Sequence, residues 1–221
     1  CCPTLTADWP FPAVLPGLSL VKAAFDAERL ELADFARCGI APVRGVAKRQ
    51  AEHLAGRLCA REALRRVTGQ ASVPAVGEDR APQWPRGVVG SITHGDNWAA
   101  ALVAPDHQWR ALGLDVERLL PVERAQRLQG EILTPAELQR LSGLDDAARA
   151  ARISLTFSLK ESLFKALYPL TLTRFYFHDA ELLEIARAAQ PEWAATNPQR
   201  RARVMFNFKA LVEANMDSLA H

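Results

Sequence analysis

The sequence predicts an α+β chain, and three observations carry that expectation. Two stretches, Val46 to Val67 and Ala147 to Leu167, read as long helices rich in apolar residues. Two apolar runs, Gly87 to His94 and Trp98 to Ala104, flank the turn Gly95-Asp96-Asn97, the pattern of a β-hairpin. A third short-linked run, Trp109 to Val116, follows the hairpin and favours an antiparallel meander.

Taken in order, residues 1 to 18 carry Pro3, Pro10, Pro12 and Pro16 and read as an extended surface arm. Ser19 to Phe25 is a candidate strand, and Asp26 to Phe35 suits one short helix with acidic residues near its start. A loop from Cys38 to Gly45 leads into the first long helix. There Ala47, Ala51, Leu54, Ala55, Leu58 and Cys59 share a face, and Gly69 stops the helix. Ala71 to Pro85 is a loop rich in Pro and Gly. The alanine-rich return run of the hairpin has poor β-propensity but permits close packing. A helix is expected over Glu123 to Leu133. Thr134-Pro135-Ala136-Glu137 then starts another, running to about Ser142, with Thr as N-cap, Pro at the first position and Glu137 closing a capping box. Gly143 to Asp146 breaks it before the second long helix, with Pro169 just beyond that helix's end. Arg174 to Phe177 and the alternating Val204, Phe206 and Phe208 read as strands. No internal repeat is evident.

At 221 residues the chain is long enough to bury a sizeable core, and its composition is that of a soluble globular protein. A net charge of +2 is too near neutral to imply nucleic-acid binding. The distribution is less even: Arg44, Lys48, Arg49, Arg57, Arg61, Arg65 and Arg66 face only Glu52 and Glu62 over the same span. Cys1, Cys2, Cys38 and Cys59 have neither CxxC spacing nor a His pattern, so neither a disulfide framework nor a zinc site is expected. No signal peptide and no apolar run long enough to span a bilayer are found, so the expected compartment is the cytoplasm.

The chemistry centres on Ala111-Leu112-Gly113-Leu114-Asp115-Val116-Glu117. On a strand, Asp115 and Glu117 share a face, and paired hard oxygen ligands suit Mg²⁺ and a phosphate-bearing substrate. Asp-x-Glu alone equally describes an exposed strand end. On the first long helix, Arg49, His53, Arg57, Arg61 and Arg65 recur at i+4, a line that drifts about 40° per step. It reads either as a solvated basic face or as a phosphate-gripping one. His94, where strand meets turn, reads as structural from position alone. On the second long helix Glu161 and Lys165 are i, i+4 neighbours, either a surface ion pair or, on a largely buried helix, charges wanting a metal or phosphate partner. Asp115, Glu117 and Glu161 together suffice for a Mg²⁺ site, with Arg49, Arg57, Arg80 and His94 for further phosphate oxygens.

Five pieces in order resemble the 4′-phosphopantetheinyl transferases of the Sfp type, closest to the enterobactin-type, PcpS-like branch. They are Ala47-Lys48-Arg49-Gln50-Ala51-Glu52-His53-Leu54-Ala55-Gly56-Arg57, Gly77-Glu78-Asp79-Arg80-Ala81-Pro82-Gln83-Trp84-Pro85, Gly90-Ser91-Ile92-Thr93-His94, Gly113-Leu114-Asp115-Val116-Glu117 and Phe157-Ser158-Leu159-Lys160-Glu161-Ser162-Leu163-Phe164-Lys165-Ala166. Each is weak alone; five in register, over roughly residues 8 to 185, are specific. Phe157 stands where the family commonly has tryptophan, and after about Glu192 the likeness fades.

The resemblance implies two pseudo-symmetric halves, each a small antiparallel sheet packed on a long helix. Residues 1–107 would bind the coenzyme A phosphates, and residues 108–221 would bind Mg²⁺ and carry catalysis. It implies a Mg²⁺-dependent transfer of the phosphopantetheine arm of coenzyme A to a serine of an apo carrier protein, releasing 3′,5′-ADP. By position, Asp115, Glu117 and Glu161 would hold the metal; Glu161, Lys165 and Asp115 would be catalytic, with Glu161 as base. Arg49, Arg57, Arg80, Ser91, Thr93, His94, Lys160 and Lys165 would bind coenzyme A. Glu137 matches a family glutamate offered as an alternative base, a role that competes with its cap. A monomer without nucleic-acid or membrane partners is expected. The rival readings are a metal-dependent nuclease, which leaves Gly90 to His94 and Arg80 to Pro85 unexplained, and a basic-helix nucleic-acid module, which lacks a base-stacking platform.

Overall fold

A computed structural model describes residues 4–10, 15–95 and 97–182. Its centre is a four-stranded antiparallel sheet in the order β1-β2-β6-β5. The strands are β1 (Leu5–Thr6), β2 (Ser19–Ala24), β5 (Val88–Gly95) and β6 (Trp98–Pro105). The hairpin expected from the sequence is the β5–β6 pair, registering Val88 opposite Pro105 and Gly95 opposite Trp98. Between them in sequence, β3 (Ala75–Val76) and β4 (Pro82–Gln83) form a separate two-stranded ribbon within the expected loop.

Small residues set the packing of this sheet. Helix α2 (Ala47–Thr68) lays Ala51, Ala55, Cys59, Ala60 and Ala63 against Ala99, Ala101 and Val103. The alanine run is therefore a close-approach surface, and it stays in a strand because burial outweighs its weak β-propensity. Gly56 belongs to the same contact: a Cβ there would lie 2.9 Å from Ile92 Cγ2. Gly69 ends α2 in the left-handed conformation, its N–H donating to Arg65 O.

The opposite face of the sheet, with Leu20, Ala100, Leu102 and Ala104, is covered by Trp109, Leu112 and Leu114. This covering segment corrects one expectation. Trp109 to Val116 is extended but joins no β-ladder. Its backbone is instead held by side chains of β5: Leu114 N–H donates to Ser91 Oγ (3.0 Å) and Val116 N–H to Thr93 Oγ1 (3.1 Å). On its other side lies α5 (Asp146–Thr171), so close that a Cβ on Gly113 would sit 1.8 Å from Ser162 O. Only glycine fits there.

The second half packs α3 (Val122–Ile132), α4 (Pro135–Arg140) and α5 around Ala125, Ile132, Leu133, Leu141, Ala150 and Ile153. The capping box is present, with Thr134 Oγ1 accepting from Glu137 N–H and Glu137 accepting from Thr134 N–H. Four further details depart from expectation. Asp26 to Phe35 divides into a 3₁₀ turn, Ala27–Arg29, and α1 (Leu32–Cys38), because Asp26 caps the first and Glu31 with Asp34 caps the second. Pro169 lies inside α5, two residues before its end at Thr171, where with no N–H it leaves the Lys165 carbonyl without its helical donor; Leu172 (φ 54°) closes the helix. Arg174 to Phe177 is irregular and runs into a 3₁₀ turn, Phe177–Asp179, with Phe175 packed on Phe164 and Phe177 on Phe157. Leu155 and Leu159 on α5 are exposed, so that helix is less buried than its composition suggests. The expected strand at Val204 to Phe208 lies outside the described residues. No described helix is long and apolar enough to cross a membrane.

Candidate active site

Strand β5 is the edge of the sheet, and its two-residue period divides the site. Ile92 and His94 point towards α2; Ser91 and Thr93 point towards the Gly113–Glu117 segment. Two cavities meet along this edge, sharing Arg80, Pro82 and Ile92 in their walls.

The smaller cavity, about 410 Å³, is basic, with Arg44, Arg49, Arg57, Arg80, His53 and His94 in its lining and Glu52 as the acidic member. Arg57 is buried, and its Nη1 has no partner. A buried guanidinium without an acceptor is costly and is the mark of a site for an anion. Burial pushes the His94 imidazole below its usual range, helped by Lys165 and Arg49 and opposed by Glu52, whose carboxylate lies 3.6 Å from Nδ1. Burial likewise lowers His53, with Arg57 adding to it. Both rings therefore favour the neutral form until a negative ligand arrives. Arg80 is placed by the β3–β4 turn, where it adopts φ 70° and its N–H donates to Gly77 O. The basic stripe of α2 does not act as a unit. Arg49 and Arg57 reach the cavity, whereas Arg61 donates to Cys38 O and Arg65 pairs with Glu62.

The larger cavity, about 570 Å³, has Ser91, Lys160, Glu161, Lys165, Tyr168 and Arg174 among its walls, with an aromatic side of Phe164, Phe175, Tyr176 and Phe177. At its base Lys165 Nζ donates to Asp115 Oδ1 at 2.6 Å. Thr93 Oγ1 donates to the same oxygen at 3.2 Å and lies 3.4 Å from the ammonium. Asp115 Oδ2 is buried without a partner. Burial raises the Glu161 carboxyl above its usual range and the Asp115 charge adds to it, against Lys165. Glu117 is raised by burial, Asp115 and Glu161, against Lys165 and Arg124. The Asp115 charge thus disfavours ionisation of both Glu117 and Glu161, which is what a cation would relieve. As they stand, no three His, Cys, Asp or Glu side chains among the described residues converge as a metal cage. A Mg²⁺ ion needs few protein ligands, and the hard-oxygen donor set with the unpartnered Asp115 Oδ2 fits it.

Ser91 and Thr93 are buried, and their hydroxyls hold the segment that carries Asp115. Lys160 is also buried, its ammonium bonded within the protein. In Glu137 burial raises the carboxyl, but donation from Leu182 N–H, Lys160 and Thr134 N–H outweighs it and holds the group below its usual range. Sequence reasoning did not single out Glu52, Tyr168 or Arg174 as site residues. Glu52 was within reach of the helical period, three residues after Arg49; Arg174 follows an irregular turn and carried no signal.

Comparison with known proteins gives the family. Residues 42–104 match the family model of the 4′-phosphopantetheinyl transferase N-terminal domain, and residues 111–206 that of the 4′-phosphopantetheinyl transferase superfamily. The chain belongs to the 4′-phosphopantetheinyl transferase superfamily, in its enterobactin and Sfp-type branch. It is 45% identical over 119 residues to enterobactin synthase component D of Escherichia coli (strain K12), covering 54% of this chain and 55% of that protein. It is 36% identical over 141 residues to the 4′-phosphopantetheinyl transferase Npt of Nocardia iowensis, covering 63% and 61%. To the 4′-phosphopantetheinyl transferase Svp of Streptomyces mobaraensis it is 40% identical over 142 residues, covering 63% and 56%. The chain spans about half the length of the curated relatives it matches.

Proposed function

We propose that the chain transfers the phosphopantetheine arm of coenzyme A to a serine of an apo carrier protein, as a cytoplasmic monomer of two pseudo-symmetric halves divided near residues 105–109. The observation that carries this reading is the junction at the edge of β5. A buried, unpartnered Arg57 lines a cavity that meets, along this strand, a second cavity lined by Glu161 and by Lys165, whose ammonium is bonded to Asp115. A ligand with a phosphate at one end and a pyrophosphate at the other matches that distribution of charge.

Arg49, Arg57 and His94 bind the 3′-phosphate and its neighbours, and Arg80-Ala81-Pro82 lies against the adenine. Asp115, Glu117 and Glu161 would hold Mg²⁺, which when bound would offset the negative charge that develops on the pyrophosphate. The serine hydroxyl attacks the phosphorus bearing the pantetheine, in line with the bond to the departing 3′,5′-ADP. Glu161 takes the hydroxyl proton; its raised pKa suits a general base. Lys165 leaves Asp115 for the leaving phosphate and neutralises it. Ser91 and Thr93 act on the ligand indirectly, by fixing Asp115.

Incubation of the protein with coenzyme A, Mg²⁺ and an apo carrier should release one 3′,5′-ADP per holo carrier formed. A carrier whose acceptor serine is replaced by alanine should release none. Absence of release across fatty-acid, polyketide and peptide carriers would overturn the reading.

A further inference from the structure

The far side of the larger cavity is walled by Arg174, Phe175, Tyr176 and Phe177, a run with no regular ladder of its own. What holds it is a buried ion pair. Lys160 Nζ donates to Glu137 Oε2 (2.6 Å), to Phe177 O (2.7 Å) and to Ile132 O (2.9 Å). An ammonium has three N–H groups, and all three are used. The side chain is buried, so no donor remains for a phosphate. Glu137 is equally committed. Its Oε2 also accepts from Thr134 N–H, and its Oε1 accepts from Leu182 N–H at 2.8 Å.

These bonds tie together the end of α3, the cap of α4, the middle of α5 and both ends of residues 177–182. Further contacts repeat the tie. Arg140 pairs with Glu181 and donates to Leu182 O, His178 Nε2 meets Gly130 O at 3.0 Å, and Phe157 packs on Phe177. The residue after Lys160 on α5 is Glu161, so the same bonds set the distance from the aromatic wall to the reacting end of the cleft.

We propose that Glu137 and Lys160 are positioning residues, a buried pair whose hydrogen bonds hold residues 177–182 and through them Arg174 to Phe177, the wall of the larger cavity, acting neither as base nor as phosphate ligand. This rests on reading that cavity as part of the coenzyme A site. Breaking one partner leaves a buried charge uncompensated, whereas removing both charges does not.

The test compares Lys160→Met, Glu137→Gln and the double variant with the wild type, by amide hydrogen exchange and by transfer kinetics across pH. Each single variant should speed exchange in residues 175–182 by at least about tenfold and raise KM for coenzyme A. The pH profile of kcat should keep its shape. The double variant should recover part of both losses. Should the single variants not fold, Arg140→Gln, on a half-exposed pair, should still speed exchange at Glu181 and Leu182 and raise KM. Loss of kcat in Glu137→Gln with exchange unchanged would make Glu137 the base. A raised KM in Lys160→Met with exchange unchanged would make Lys160 a ligand. Either result overturns the proposal, as would unchanged exchange in Arg140→Gln. If the wild type transfers nothing, the functional reading fails, while the exchange measurements still decide whether the pair holds the wall.

Discussion

Asp115 owes its setting to a threonine hydroxyl, a lysine ammonium and an oxygen with no partner. That last atom is what suits the residue to the proposed metal site and sets it apart from half of an ordinary ion pair. Asp115→Ala should therefore lower transfer by at least about 100-fold while circular dichroism shows the fold intact. Arg57 presents the converse case. Its buried guanidinium weakens the ligand-free fold, a cost that the proposed phosphate ligand would offset. Arg57→Met should raise KM for coenzyme A by about 10- to 100-fold, as expected for losing a charged hydrogen bond, and should raise the melting temperature of the ligand-free protein. Both effects are read from one preparation. Glu161 adds a pH dependence. Its pKa in the fold lies above its unfolded value, so ionisation is disfavoured by folding. The resulting penalty is absent below the unfolded pKa and complete above the folded one. Glu161→Gln should thus stabilise the protein at neutral pH and change little in acid, by thermal melts at the two conditions. Lys160 shows where residue-level reading stops. In sequence it is one more lysine beside a glutamate; only burial and three acceptors reveal that its charge is used internally.

Elements explain which parts of the fold were legible beforehand. Helix α2 was, because its apolar face repeats at 3.6 residues and Gly69 supplies a left-handed stop. Helix α4 was, because Thr134, Pro135 and Glu137 form a local signal that needs no tertiary partner. The β5–β6 hairpin was, from two apolar runs about a short turn. The segment Trp109 to Val116 has the composition of a strand and was misread. Periodicity reports burial on alternate sides but not whether the backbone partner is a ladder or two hydroxyls. Arg174 to Phe177 misled for the same reason, its aromatics packing on Phe157 and Phe164 of α5 rather than across a sheet. Gly113 is the element-scale test of the corrected picture. Gly113→Ala would place a methyl against Ser162 O and push the segment off α5. It should cost at least about 1–3 kcal/mol in denaturant titration and lower activity as Asp115 moves.

At the scale of the whole molecule, the chemistry assembles from positions far apart in sequence. A basic cavity on the α2 side of β5 and an acidic centre on the other share one edge strand. In the sequence, Asp115-x-Glu117 and the basic line were each ambiguous alone and stood out only beside Glu161 and Lys165. The sequence showed neither that β5 would divide them nor that Arg61 and Arg65 of the basic stripe would turn away to Cys38 and Glu62. The central claim is that this divided cleft holds coenzyme A and delivers its phosphopantetheine arm past Asp115. The most direct measurement is the intact mass of an apo carrier after incubation with coenzyme A, Mg²⁺ and either the wild type or Asp115→Ala. The account predicts the added mass of one phosphopantetheine with the wild type, and none over the same period with the variant. Equal modification by both proteins, or none by the wild type across a panel of carriers, would contradict it.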